Sequence, residues 1–330
     1  MRNWLIVSTC CLAAAMISSC QKDEQPGNGG KKLTIAVIPK GTTHSFWKSV
    51  HAGAVKAEKE LPDVKVIWKG AMKEDDLEGQ TKVMEDFIVR GVAGIVLAPT
   101  HHGPALQIQV RNAEKRSIPT VIIDSGLGGT EWVSFVATDN RNGGRLGGEH
   151  LAKLLGGKGK VVMMRYLEGS ASTENREAGF LEAIAKHPGL EVISENQRGG
   201  DIERSMKTAE NLMPKLREAD GVFCPNETST FGMLRALEDA GLAGKIKFVG
   251  FDSNPKLVDA LRKKLVHGLV LQDPINMGYM GVKTMVKHLR KQKVERRVDT
   301  GCGVATPENM DEPTIQNLLN PNYKKWLEED

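Results

Sequence analysis

Past residue 32 the chain alternates short apolar, β-branched runs with longer stretches in which apolar positions recur at three and four. Thr34–Ile38 (TIAVI) leads into Ser45–Leu61, where Phe46, Val50, Ala54, Ala57 and Leu61 share one helical face. Val64–Trp68 leads into Asp75–Arg90 and Gly94–Leu97 into Pro104–Arg116, and then Thr120–Ile123 and Val133–Ala137 read as strands. The pattern starts again with strands at Lys160–Met164, Glu191–Ile193, Gly221–Cys224, Lys247–Phe251 and Gly268–Leu271. Helical spacing fills the gaps, near Thr173–Lys186, Ile202–Leu216, Thr230–Ala240 and Pro255–Lys263. Strands that are apolar throughout need cover on both faces, and intervening amphipathic helices supply it. The pattern therefore predicts an α/β protein with two parallel-sheet domains. Asn140-Arg141-Asn142-Gly143-Gly144 marks the first crossing, and a last helix, Pro274–Arg290, is expected to return to the first domain. Ser45, Asp75, Thr173 and Asp201 stand at the heads of periodic segments as helix-start signals.

The N-terminus adds an address. Arg2, an apolar run from Trp4 to Ile17 and Ser18-Ser19 describe a secretory signal over residues 1–19, too short to span a bilayer. Ile17-Ser18-Ser19-Cys20 resembles the bacterial lipobox, which makes Cys20 the lipidated first residue of the mature protein. Residues 20–32 then form a lipidated Cys and flexible tether, and lipid becomes the only expected anchor. Which bacterial membrane carries the anchor, inner or outer, stays open. Of five cysteines, Cys10 and Cys11 leave with the signal, so Cys224 and Cys302 remain, expected as buried free thiols rather than a disulfide. The net charge of +4 comes without a basic run interleaved with aromatics, so nucleic acid is not an expected partner.

Ligands of open α/β sheets bind beyond the carboxyl ends of the strands. Those positions are polar here. TIAVI is followed by Lys40 and His44 before Phe46-Trp47, GIVL by Ala98-Pro99-Thr100, and PTVII by Asp124-Ser125. In the second set, Asn226, Asp252 and Gln272 follow their strands. Any one of these is an ordinary cap or turn former; six polar strand ends together point to one site split between two domains. Carboxylates, amides and a guanidinium suit a ligand bearing several hydroxyls, with Phe46-Trp47 as an apolar wall.

From about Leu33 to Met310 the chain resembles the ribose-binding-protein family of periplasmic solute receptors. The resemblance rests on Thr34-Ile-Ala-Val-Ile with Ser45-Phe46-Trp47, Ile118-Pro119 before Asp124, Ala137-Thr138-Asp139-Asn140, and Gly169-Ser170-Ala171-Ser172 with Arg176. Gly221-Val-Phe-Cys-Pro-Asn226, Val249-Gly250-Phe251-Asp252 and Gln272-Asp273-Pro274 complete it. It implies the type I periplasmic binding fold: two Rossmann-like domains joined by a three-strand hinge, with lobes of residues 33–139 plus 274–299 and 140–273 plus 300–330. It also implies that Phe46, Trp47 and His44 wall the ligand, Asp124 and Asp252 take its hydroxyls, Arg176 supplies the guanidinium, and Asn226 and Gln272 supply amides. Departures from the family pattern fall at Lys40, Ala98 and Ser125, and at Gly200, where the second-domain aromatic wall is expected and glycine cannot stack. They argue against ribose itself, and Lys40 and His44 suggest tolerance of an anionic group. The implied partners are a small sugar-like ligand and the permease and ATPase of an importer, or alternatively a membrane sensor; the receptor is expected to be a monomer.

No GxSxG, HExxH or P-loop is present, and Gly156-Gly157-Lys158-Gly159 precedes a strand, the wrong order for phosphate binding. Neither catalysis nor a metal or cofactor is expected, and a signal peptide stands where a DNA-binding helix pair would sit in a repressor.

Overall fold

The protein is described here by a computed structural model. Apart from Met1 it covers residues 32–327, so the expected signal, Cys20 and the tether up to residue 31 lie outside the described residues. In chain order the first layer contains β1 (Leu33–Ile38), α1 (Ser45–Lys59), β2 (Val64–Trp68), α2 (Leu77–Arg90), β3 (Gly94–Leu97), α3 (Pro104–Lys115), β4 (Thr120–Ile123) and β5 (Ser134–Ala137). The second contains α4 (Asn140–Leu154), β6 (Lys158–Met163), α5 (Ala171–Ile184), β7 (Gly189–Ser194), α6 (Ile202–Asn211), α7 (Met213–Leu216), β8 (Gly221–Phe223), α8 (Glu227–Asp239), β9 (Lys247–Phe251), α9 (Pro255–Arg262) and β10 (Gly268–Gln272). The chain closes with α10 (Pro274–Leu289), β11 (Arg297–Asp299), β12 (Cys302–Ala305), α11 (Pro313–Leu319) and α12 (Lys324–Leu327).

Two six-stranded sheets result, ordered β11-β5-β4-β3-β1-β2 and β12-β10-β9-β8-β6-β7. Every pairing is parallel except that of β12 with β10. Both sheets belong to one compact unit beginning at Lys32. The apolar strands are explained by their two-sided cover. Ile35 and Val37 enter the core under α1 and α10, while Ala36 and Ile38 enter the opposite core under α2 and α3. In the second sheet, Val161 and Met163 face one core and Val162 and Met164 the other.

The chain passes from the first layer to the second at Thr138–Asp139, returns at Asp273 and passes again at Thr300–Gly301. These segments are tied together: Thr138 Oγ1 donates to Gly301 O at 3.2 Å, and Arg297 donates to the carbonyls of Ala137 (2.6 Å) and Thr138 (3.1 Å). α11 packs on β10 and β12, whereas α12 reaches α1 of the first layer, with Trp326 beneath Lys56 and Lys59.

Some local expectations shift. Asp201 caps α6, accepting from Arg204 N at 2.9 Å. α2 is capped by Asp76 rather than Asp75, because Asp76 is the residue whose carboxylate reaches Gly79 N (2.8 Å). α5 starts two residues before Thr173, at Ala171, and Ser45 is already inside α1. The largest departure is α4, a helix through the glycine-rich stretch read as a crossing. Interior glycine costs a helix about 1 kcal/mol. Here packing offsets that cost: a Cβ on Gly144 would lie 1.9 Å from the Arg176 carbonyl, and one on Gly179 would lie 2.0 Å from that of Arg141. The absent side chains let α4 and α5 approach to backbone contact. Cys224 is buried and Cys302 half-buried, both free.

Candidate functional site

The two sheets point their strand ends at each other, and a small cavity of about 20 Å³ lies between them. As it stands this space holds little more than one water molecule. Of the residues read from sequence, Lys40, His44, Phe46, Trp47, Asp124, Arg176, Asn226, Asp252 and Gln272 line it.

The centre is two carboxylates and a guanidinium. Asp124 follows β4 and Asp252 follows β9, and both adopt left-handed backbone (φ 59° and 65°), which Asp tolerates better than most side chains. Each backbone N–H still bonds the neighbouring strand, Asp124 to Val136 O (3.2 Å) and Asp252 to Val270 O (2.8 Å). The turn thus aims each carboxylate into the cleft without breaking the sheet. Arg176, from the first turns of α5, stands between them, 3.9 Å from Asp124 Oδ1 and 3.9 Å from Asp252 Oδ2. Those distances are ion-pair attraction, not hydrogen bonds. Its hydrogen bonds go to Asn140 Oδ1 (2.8 Å) and Pro225 O (3.0 Å), and its Cζ lies 4.1 Å from the Phe251 ring centroid. Its Nη2 is buried and has no hydrogen-bond partner.

Gln272 donates to Asp252 Oδ1 at 2.7 Å, and its own Oε1 is buried without a partner. Burial raises the Asp252 pKa, opposed by Arg176 and Gln272. Asn226 lines the cavity but also caps α8: its Oδ1 accepts from Ser229 N and Nδ2 donates to Thr228 Oγ1 (3.1 Å).

The cations suggested as tolerating an anion are already matched. Lys40 Nζ lies 2.8 Å from Asp124 Oδ2 and donates to Ser172 Oγ (3.0 Å) and Ser170 Oγ (3.4 Å) across the cleft. His44 Nδ1 lies 3.2 Å from Glu74 Oε1. Each of these two cations thus meets a carboxylate of the protein.

Thr100 and Ser125 do not line the cavity. Thr100 turns to Gln80 Oε1, bonding it through N (2.9 Å) and Oγ1 (3.1 Å). Ser125 Oγ accepts from Ser172 N (3.0 Å), another tie across the cleft. Sequence reasoning missed Glu74, Tyr166, Ser172, Thr173 and Glu227, all lining the cavity. Glu227 directly follows Asn226 and was legible as a strand-end residue. Glu74 and Tyr166 lie off the apolar runs and gave no such signal.

Glu74 gathers donors from both sides: Trp47 Nε1 and Tyr166 OH both donate to it, beside His44. Burial alone would raise its carboxyl, but the hydrogen bond and charge of His44, with Lys40 behind, bring it down to about 2. Burial pulls His44 down and Glu74 more than reverses it, leaving His44 raised. Glu227 goes the other way. Its Oε2 accepts from Phe46 N (3.1 Å) across the cleft and Oε1 from Asn254 Nδ2 (3.1 Å), yet burial lifts its pKa to about 7. Phe46 meets Trp47 edge-on, centroids 5.0 Å apart at 88°. The aromatic group on the second side is Tyr166, not a residue at Gly200, whose carbonyl instead accepts from Thr228 Oγ1 at 2.7 Å.

Comparison with known proteins identifies the family of the fold. The family model described as a periplasmic binding protein domain matches residues 35–293. A carbohydrate transporter solute-binding protein from Agrobacterium radiobacter, solved with D-arabinose, is 35% identical, with a TM-score of 0.82 over 88% of this chain and 99% of its own. An ABC transporter solute-binding protein from Agrobacterium vitis, solved with D-fucose, is 32% identical, with a TM-score of 0.82 over 87% and 99%. The ribose import binding protein of Haemophilus influenzae is 28% identical over 80% of this chain and 88% of its own. With two parallel-sheet α/β lobes and the family match over most of its length, the chain belongs to the periplasmic binding protein family, in its ribose-binding-protein-like type I branch, a family of transporter receptors and not of enzymes.

Proposed function

We propose that the chain is the solute-binding receptor of an ABC-type importer and takes a monosaccharide or a close derivative in the cavity between its lobes. The observation that carries this reading is a buried donor and a buried acceptor on cavity residues, Arg176 Nη2 and Gln272 Oε1, each without a hydrogen-bond partner. A buried donor and a buried acceptor each cost about 1–3 kcal/mol when unmet, and a hydroxyl, which donates and accepts, relieves both kinds. Asp124, Asp252 and Glu227 add acceptors, and Phe46 and Tyr166 offer rings to a sugar face.

In this reading the lobes are residues 33–139 with 274–299, and 140–273 with 300–330. They rotate about the three connecting segments and close on ligand, because only the closed form meets the ligand from both sides. The permease and ATPase would read that closed surface. Cys20 carries the lipid that keeps the receptor beside them, and the tether gives it reach. The solved relatives with bound sugars support the ligand class.

The test is a thermal-shift screen of the soluble body against monosaccharides, polyols, sugar acids and nucleosides, repeated on Arg176→Leu. A monosaccharide should stabilise the wild type and not the variant. If no sugar or polyol shifts the wild type, or if the variant responds equally, the reading fails.

A further inference from the structure

The ligand cavity has a larger neighbour. An outer groove of about 760 Å³, open to solvent, shares three lining residues with it: His44, Glu74 and Tyr166. His44 and Glu74 come from the loops after β1 and β2, and Tyr166 from the loop after β6. The wall therefore forms only where the two layers meet. It is also tightly packed: the His44 and Glu74 side chains are 12% and 11% exposed and Tyr166 is 2% exposed.

Its three side chains meet at one carboxylate. Glu74 Oε1 takes His44 Nδ1 and Trp47 Nε1, and Glu74 Oε2 takes the Tyr166 hydroxyl. A ligand substituent pushed through this wall would have to part Glu74 from Tyr166 or His44. That would leave a buried carboxylate short of donors, which a hydrocarbon or ether substituent cannot replace. The groove beyond is wide and mixed in character, with Met72 73% exposed beside Ile202 and with Asp75, Asp76, Asp201 and Glu203 around them.

Building on the proposed sugar-receptor function, we infer that the His44–Glu74–Tyr166 wall determines ligand length: it admits a free monosaccharide and excludes one carrying a bulky group on the side facing the groove. Tyr166 contributes the bulk of the barrier, and Glu74 holds it shut as a positioning residue. Truncating Tyr166 or His44 joins the cavity to the groove and relaxes the exclusion.

The experiment measures binding of D-arabinose, D-fucose, D-ribose and D-allose, and of their mono-O-benzyl derivatives, by calorimetry. It uses wild type, Tyr166→Ala, His44→Ala and Glu74→Gln, each first checked for a cooperative melt. The readout is the affinity ratio of each benzyl derivative to its parent sugar, so a general loss of affinity in a variant cancels out. Wild type should bind a parent sugar and reject every benzyl derivative. At least one folded truncation should raise the ratio for one attachment position by about tenfold or more, whereas Glu74→Gln, which keeps the wall's volume, should raise it less. Wild type accepting a benzyl derivative as well as its parent, or folded truncations leaving all ratios unchanged, overturns the inference while the sugar-receptor reading stands. No parent sugar binding to wild type overturns both.

Discussion

Lys40 and Asp124 form a buried ion pair, Nζ to Oδ2 at 2.8 Å, with the lysine and aspartate side chains 5% and 4% exposed. The pair sits in the first lobe, yet the same ammonium donates to Ser172 and Ser170 of the second. Lys40 is thus both the counter-ion that allows Asp124 to be buried and a strap across the cleft.

Removing one member of a buried pair costs up to about 3–5 kcal/mol, and without Lys40 the Asp124 carboxylate keeps only Arg176, 3.9 Å away. Lys40→Met is expected to lower unfolding stability by about that amount, measured by urea denaturation without ligand. The double variant Lys40→Met/Asp124→Asn should recover a large part of the loss, because the stranded carboxylate goes with it. Equal stability of the single and double variants would contradict this role for the pair.

Glu227 gives the receptor a pH dependence of definite sign. Its folded value of about 7 lies above the ordinary 4.5, so the folded state holds this proton more tightly than the unfolded state does. The stabilisation is complete below about pH 4.5 and is lost as pH rises through 7, amounting to about 3 kcal/mol in all. His44, also raised, loses stability in the same direction as it deprotonates. Glu227→Gln should flatten the fall in stability between pH 4.5 and pH 7 without abolishing it. Denaturation midpoints across that range, for variant and wild type, provide the check; parallel curves would refute the assignment.

Gly144 links the fold to the site. A Cβ there meets the carbonyl of Arg176, the residue that carries the central guanidinium. Gly144→Ala is expected to destabilise by about 1–3 kcal/mol through overpacking and to weaken ligand binding by displacing α5. Gly156, at φ 61° with open space around it, is a useful contrast. Gly156→Asn should cost little stability and leave binding unchanged.

Cys20→Ser should release the protein from bacterial membranes into the soluble fraction, followed by fractionation and immunoblotting. Membrane retention of the variant equal to wild type would exclude lipid as the anchor.

Much of the architecture was legible before any coordinates. Runs such as Ile35–Ile38 and Ile95–Leu97 are apolar at every position because both sheet faces are covered, and that separates a buried parallel sheet from a half-exposed one. Asp124, Asp252 and Gln272 were legible because a parallel strand delivers whatever follows it to one edge of the sheet. The helix α4 was not legible: glycine argues against helix locally, and only the facing glycine of α5 shows why it was needed.

What the sequence by itself determined is the order of strands and helices from β1 to α10, α4 excepted, the edge at which polar groups collect and the lipobox-like Ile17–Cys20. These follow from local periodicity and chain direction. What only the tertiary structure decided is which polar groups are already satisfied. Lys40 reads in sequence as an open cation and proves to be matched by Asp124, while Thr100 turns away to Gln80. Glu74 and Tyr166, 92 residues apart, meet to close the cavity. A hydrogen-bond partner is a neighbour in space, and no spacing along the chain encodes it.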